Sequence, residues 1–231
     1  MKLYTLLLLS AMGAFAQTTV QTEDMSPPGS PVVFSGTASC SEWMNGKELR
    51  SRGTGSVKAR NVSSRQIVAI VAVTKTVCPH AMEDMLYQHD FFFKAHAFAQ
   101  DLDLDIPLSI NEGTDSYDLS APANPPASTA TLLFVQFDDG SIVGDKEVAL
   151  NMLGQRTSVQ TFLTRLSTAS GDKSAFLAIL AEEQPPNTSV KDVSRNLNAL
   201  QKQFGTEATV ARVKEALQSA EDRMASGKFK L

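Results

Sequence analysis

From Pro31 onward, hydrophobic and polar positions alternate in short runs. "PVVFSGTAS", "GSVKARNV", "QIVAIVAVTKTV", "YQHDFFFKA", "DLDLDIPLSI", "DSYDLS" and "ATLLFVQF" are each rich in β-branched or aromatic residues and are separated by Gly, Pro, Asn or Ser. A period of two with turn residues between the runs predicts six to eight strands and an antiparallel β-sandwich. Ile67 to Val73 is apolar on both faces, which predicts a central strand. Leu102, Leu104, Ile106, Leu108 and Ile110 alternate with polar residues, which predicts one wet face. Asp139-Gly140 marks a tight hairpin, and "SAPANPPASTA" (Ser120 to Ala130) reads as a long loop.

After Asp145 the period lengthens to that of a helix. Val148, Met152, Val159, Phe162, Leu163 and Leu166 form one apolar face, and Phe176, Leu177, Ile179 and Leu180 a short second one. Val190, Val193, Leu197, Leu200 and Phe204 follow at helical spacing, and Val210, Val213, Leu217, Ala220 and Met224 repeat the pattern. Gly205 is placed to end the first of these helices, Thr206 to cap the second, and Ser189 with Asp192 to form a capping box. So short a connection predicts an antiparallel helix hairpin, seam against seam. The expected class is α+β.

The N-terminus changes the picture of where the chain works. "MKLYTLLLLSAMGAFAQ" has one cationic residue, an apolar stretch and a small-residue A-x-A site, the pattern of a secretory signal peptide cut between Ala16 and Gln17. Gln17 to Ser30, polar and ending in Pro-Pro-Gly, reads as a flexible tether. The organisation expected is then a signal peptide over 1–16, a tether over 17–30, a β-sandwich over 31–145 and a helical region over 146–226. A secreted or periplasmic chain of roughly 215 residues has room for one large or two ordinary domains. Its formal net charge is −4, and loss of Lys2 makes it one unit more negative. A mixed, mildly acidic surface argues against nucleic acid as a partner, and no later apolar run is long enough for membrane insertion after signal cleavage.

Candidate chemistry concentrates in "VCPHAMEDMLYQHDFFFKAH", which holds all three histidines and one of the two cysteines. Export makes Cys40 and Cys78 a disulfide candidate, with two free thiols as the other reading. Cys78, His80, His89 and His96 are the right ligand types for zinc or copper, but no recognised ligand spacing joins them. If His89 to His96 is one strand, their odd separation sets them on opposite faces. Asp101, Asp103, Asp105 and Glu112 fall at positions 1, 3, 5 and 12 of a calcium-loop template, yet Ile106 stands where that loop needs glycine. A strand with its carboxylates in water explains the alternation of Leu and Asp better. Ser170-Gly-Asp-Lys173 matches an S-x-x-K tetrapeptide without its companion motifs, and Asp172 beginning a helix accounts for the segment. Asn61-Val-Ser and Asn187-Thr-Ser are glycosylation sequons in a eukaryotic secretory pathway.

"QIVAIVAVTKTV", "HDFFFK" and "VQFDDGSIVGD" together resemble exported bacterial proteins of unknown function with an immunoglobulin-like sandwich, over roughly Val32 to Asp145. That resemblance implies a fold and carries over no site residue. The function expected is a non-catalytic extracytoplasmic binding or structural module for an unknown protein or small ligand, with no cofactor and no catalytic residue. A metal-binding protein using the histidines (zinc or copper) or the acidic strand (calcium) is the first alternative. An unrecognised hydrolase is the second.

Overall fold

The computed structural model describes residues 16–45, 48–110, 123–186 and 188–229. The expected signal peptide, "DSYDLS" and Glu112 lie outside them, apart from Ala16. Eight strands come first: β1 (Ala16–Asp24), β2 (Val32–Asn45), β3 (Glu48–Asn61), β4 (Ile67–Cys78), β5 (Ala81–Asp90), β6 (Asp103–Ile110), β7 (Ala127–Phe137) and β8 (Ile142–Gly144). Helices α1 (Lys146–Thr168), α2 (Lys173–Leu180) and α3 (Ser189–Ala225) follow. The molecule is therefore α+β, strands before helices.

The strands form one path, β5-β4-β7-β1-β2-β3-β6, with β8 added to β7. This differs from the two stacked sheets expected of an immunoglobulin-like sandwich: the path curls until its ends approach and is nearly a barrel. Val32, Phe34, Val57, Ile70, Ile106 and Val135, from strands on both sides of the path, share one buried cluster, and Tyr87 of β5 and Leu104 of β6 pack on it. Two irregularities let β4 and β7 keep apolar residues inside despite the pleat. The register slips between Ile67 and Ala69 and between Val71 and Ala72, so Leu132 and Val135 both face the interior while Phe134 faces out. On the long β2–β3 hairpin the backbones close up where glycine permits it. A Cβ at Gly55 would stand 2.2 Å from the Thr37 carbonyl oxygen.

Strand β1 replaces much of the expected tether. Ala16 to Gln21 pair antiparallel with β2, and Thr22 to Asp24 pair parallel with β7, the one parallel junction among the described strands. "TTVQT" is β-branched at every position but Gln21, enough to occupy a waiting edge even with only Val20 packed on the core. The strand expected over "YQHDFFFKA" is also displaced. β5 starts at Ala81, directly after a two-residue Pro79-His80 turn, and ends at Asp90. "CPHAMEDMLYQ" reads as a loop, and its "MEDML" lacks β-branched residues, so pairing with β4 overrides its propensity. The Asp90 carboxylate accepts from Phe92 N at 3.0 Å and turns the chain, and the three phenylalanines fall in that turn.

Strand β4 is buried on both faces, as its unbroken apolar run requires: Ile70 and Ala72 face the barrel, while Ala69 and Val71 lie under Ala149 and Met152 of α1. Asp145 caps α1 by accepting from Glu147 N and Val148 N, and Asp172 caps α2 from Ser174 N and Ala175 N. Thr188, rather than Ser189, caps α3, accepting from Lys191 N. Within α3 the helical course breaks at Gly205, at φ 84° and ψ 179°. Val190 and Leu197 before the break and Val213 and Ala216 after it join one apolar cluster with α1 and α2, but Phe204, expected in the seam, is 61% exposed. No described helix is long and apolar enough to cross a membrane.

Cys40 of β2 and Cys78 of β4 form a disulfide with Cα atoms 5.5 Å apart, joining strands that are not neighbours in the sheet. Both are buried, with Ala81 against them. Replacing both by alanine should lower the free energy of unfolding by about 3–4 kcal/mol, the value for freeing a loop of this length. Guanidinium titration of the oxidised wild type and the double variant measures it, at unchanged far-UV circular dichroism.

Candidate functional site

The histidines are not brought together. His80, in the β4–β5 turn, lies 3.0 Å from a Glu42 carboxylate oxygen. His89, opposite Ile70 on β4, is at the far end of β5, roughly 30 Å away along the strand. His96 is exposed in the following loop. The acidic strand is matched by basic residues of its neighbour. Asp103 takes two hydrogen bonds from Arg60, at 2.7 and 3.2 Å, with Lys58 at 3.8 Å, and Asp105 stands opposite Lys58 in register. Asp101 precedes the strand at a φ of 57°. Cys78 is committed to its disulfide, and among the described residues no three His, Cys, Asp or Glu side chains converge as a metal site would need.

The polar cluster that does form was not foreseen. Arg156 lies on the apolar face of α1, four residues after Met152 and three before Val159, and is 1% exposed. Its Nε and Nη2 each donate to Asp90 at 3.0 Å, its Nη1 donates to Gln136 Oε1 at 2.8 Å, and its guanidinium lies 4.1 Å above the Phe92 ring. Arg223 of α3 donates to the Phe92 carbonyl at 3.2 Å. A charge buried this deeply requires such pairing. The signal in the sequence was the arginine itself, a lone cation interrupting an apolar stripe.

Beside this cluster a cleft of about 340 Å³ opens between the turn after β5, α1 and both parts of α3. Val159 and Leu163 line one side, and Val193, Leu197, Leu200 and Ala216 the other. Lys94 and Arg212 line it as well, with Asp90 and Arg156 of the buried cluster. Lys94 Nζ donates to His89 Nε2, so His89 is neutral with its proton on Nδ1, which donates to Tyr87 Oη at 3.1 Å. Burial pushes the His89 imidazole down to about 4; the Lys94 charge adds to the shift and Asp90 opposes it. Burial also lowers the Lys94 ammonium, with Arg212 adding to the effect and Asp90 opposing it. Burial raises the Tyr87 hydroxyl to about 12, with the Asp105 charge second.

The cleft thus sets aliphatic walls beside the charged groups Asp90, Lys94, Arg156 and Arg212. Asp90 is held by Arg156, and the Ser189 hydroxyl by Gln155.

Asp90→Asn should cost about 3–5 kcal/mol of stability, because it strands the buried Arg156 charge, and a denaturant titration reads the loss. The histidine gives a pH dependence of definite sign. Its folded pKa lies below the ordinary 6.5, so between these values the unfolded chain takes up a proton that the folded chain refuses. Stability is full above about pH 6.5 and should fall by on the order of 3 kcal/mol towards pH 4. His89→Gln, which keeps an acceptor for Lys94, should flatten that part of the stability profile. Comparison of the chain with protein-family models, with curated proteins and with solved structures returns no match, so its function has to be read from its own geometry.

Proposed function

We propose that this protein is a non-catalytic binding module of an extracytoplasmic compartment and that the cleft between the sheet and the helices is its ligand site. The observation that carries the reading is a cleft of ligand size, with aliphatic side chains of α1 and α3 along its walls and the charged groups Asp90, Lys94, Arg156 and Arg212 beside them. The leader-like N-terminus and the Cys40–Cys78 disulfide support the compartment. In this reading α3 turns back at Gly205 as an antiparallel hairpin, whose two arms supply Val193 and Ala216 to the same cleft wall. The ligand is held where two layers of the molecule meet.

A neutral solvatochromic dye such as Nile red should bind the folded protein saturably with enhanced, blue-shifted emission. Asn196, exposed at the margin of the cleft, offers a way to block it without touching the core. Asn196→Trp should weaken dye binding at least about tenfold with an unchanged melting temperature. Equal dye affinity in the two proteins would place the dye elsewhere, and no saturable binding to the wild type would remove the reading.

A further inference from the structure

The cleft lining carries more positive than negative charge, with Lys94, Arg156 and Arg212 against Asp90. Asp90, the acidic residue of the lining, has both carboxylate oxygens engaged by Arg156, and Phe92 N donates to one of them as well. Lys94 has no carboxylate at ion-pair distance among the described residues; its hydrogen-bond partner is the neutral ring of His89, and its ammonium lies 5.1 Å over the Phe91 ring. Arg212 adds a further positive charge to the same lining, and its ion pair with Glu215, at 2.7 Å, joins two partly exposed side chains three residues apart on α3. Besides Arg156, which Asp90 pairs, two cations line the cleft, and among the described residues Lys94 has no carboxylate at ion-pair distance. An anion seated between them relieves their repulsion and gives Lys94 a charged acceptor in addition to the neutral His89 ring.

Beside these charges the wall is aliphatic: Val159 and Leu163 from α1, and Val193, Leu200 and Ala216 from α3. We propose, building on the binding-module reading, that the cleft takes a free single-chain carboxylate, its head between Lys94 and Arg212 and its hydrocarbon body along this wall. One uncompensated ammonium matches one negative charge, and a guanidinium beside it matches the two oxygens of a carboxylate. The volume is at the low end for ligand clefts, which suits one medium-length chain and not a two-chain lipid.

Calorimetric titration of the full chain with decanoate and with 1-decanol, each below its aggregation threshold, tests this. Decanoate should bind with one-to-one stoichiometry and about tenfold or more tighter than the alcohol. Lys94→Met should bring decanoate affinity down to that of the alcohol, erasing the preference, and Lys94→Arg should keep most of it. Arg212→Gln, at a more exposed position, should reduce it without affecting the fold. Equal affinity for acid and alcohol in the wild type would overturn the carboxylate assignment and leave the binding module standing. A preference that survives both Lys94→Met and Arg212→Gln would overturn the placement of the head. Failure of both ligands to bind overturns this proposal, and the dye titration then decides separately whether the cleft binds anything. Binding to two-chain phosphatidylglycerol vesicles at least as strong as to decanoate would likewise overturn it in favour of a lipid headgroup.

Discussion

Arg156 and Asp90 hold the two halves of this molecule in register. The arginine comes from the helical layer and the aspartate from the end of a strand, and their two parallel hydrogen bonds are sheltered by Phe92 and anchored to Gln136 of a second strand. A hydrophobic contact between a helix and a sheet tolerates sliding and rotation. A bidentate ion pair with a third hydrogen bond does not, because any shift leaves a desolvated charge without its partner. The same pair shapes the cleft, since it engages the Asp90 carboxylate of the lining and leaves Lys94 without a carboxylate at ion-pair distance among the described residues.

The sheet obeys a different constraint, that of a long, curled surface whose interior mixes alanines with large side chains. Ala38, Ala59, Ala72 and Ala130 are buried in the same cluster as Phe34 and Phe137, so the walls approach closely in some places and need rings in others. Register slips in β4 and β7 and the glycines of the β2–β3 hairpin supply the curvature that this mixture requires. The disulfide then ties β2 to β4 across two intervening strands at one end of the cluster, where small residues leave little apolar area to bury.

How much of this was legible follows from the kind of signal each element carries. β4 and β6 were plain because burial writes itself into periodicity: an unbroken apolar run for a strand covered on both sides, strict alternation for one with a wet face. Asp139-Gly140 and Asp172 were plain because turns and caps depend on local chemistry, and Gly140 indeed sits at a φ of 80°. β1 and β5 were missed or displaced because pairing decided them, and a paired edge can hold a polar or helix-favouring segment. The cleft was illegible for a stronger reason. Its residues come from positions 90 to 216, and nothing local distinguishes Lys94 or Arg212 from any other surface cation. Arg156 alone left a trace.

The parallel junction between β1 and β7 has a consequence for how the chain assembles. Thr22 pairs with Ser128, more than a hundred residues later, so the first strand finds its second neighbour only after nearly every other strand exists. Contacts so distant along the chain are late and slow to form. Until then β1 can add to β2 but leaves its other side open, a bare edge of the kind on which chains aggregate. Closure of the sheet is therefore a single late event, and the time a newly made chain spends before it is the period in which it most needs shielding from other copies of itself.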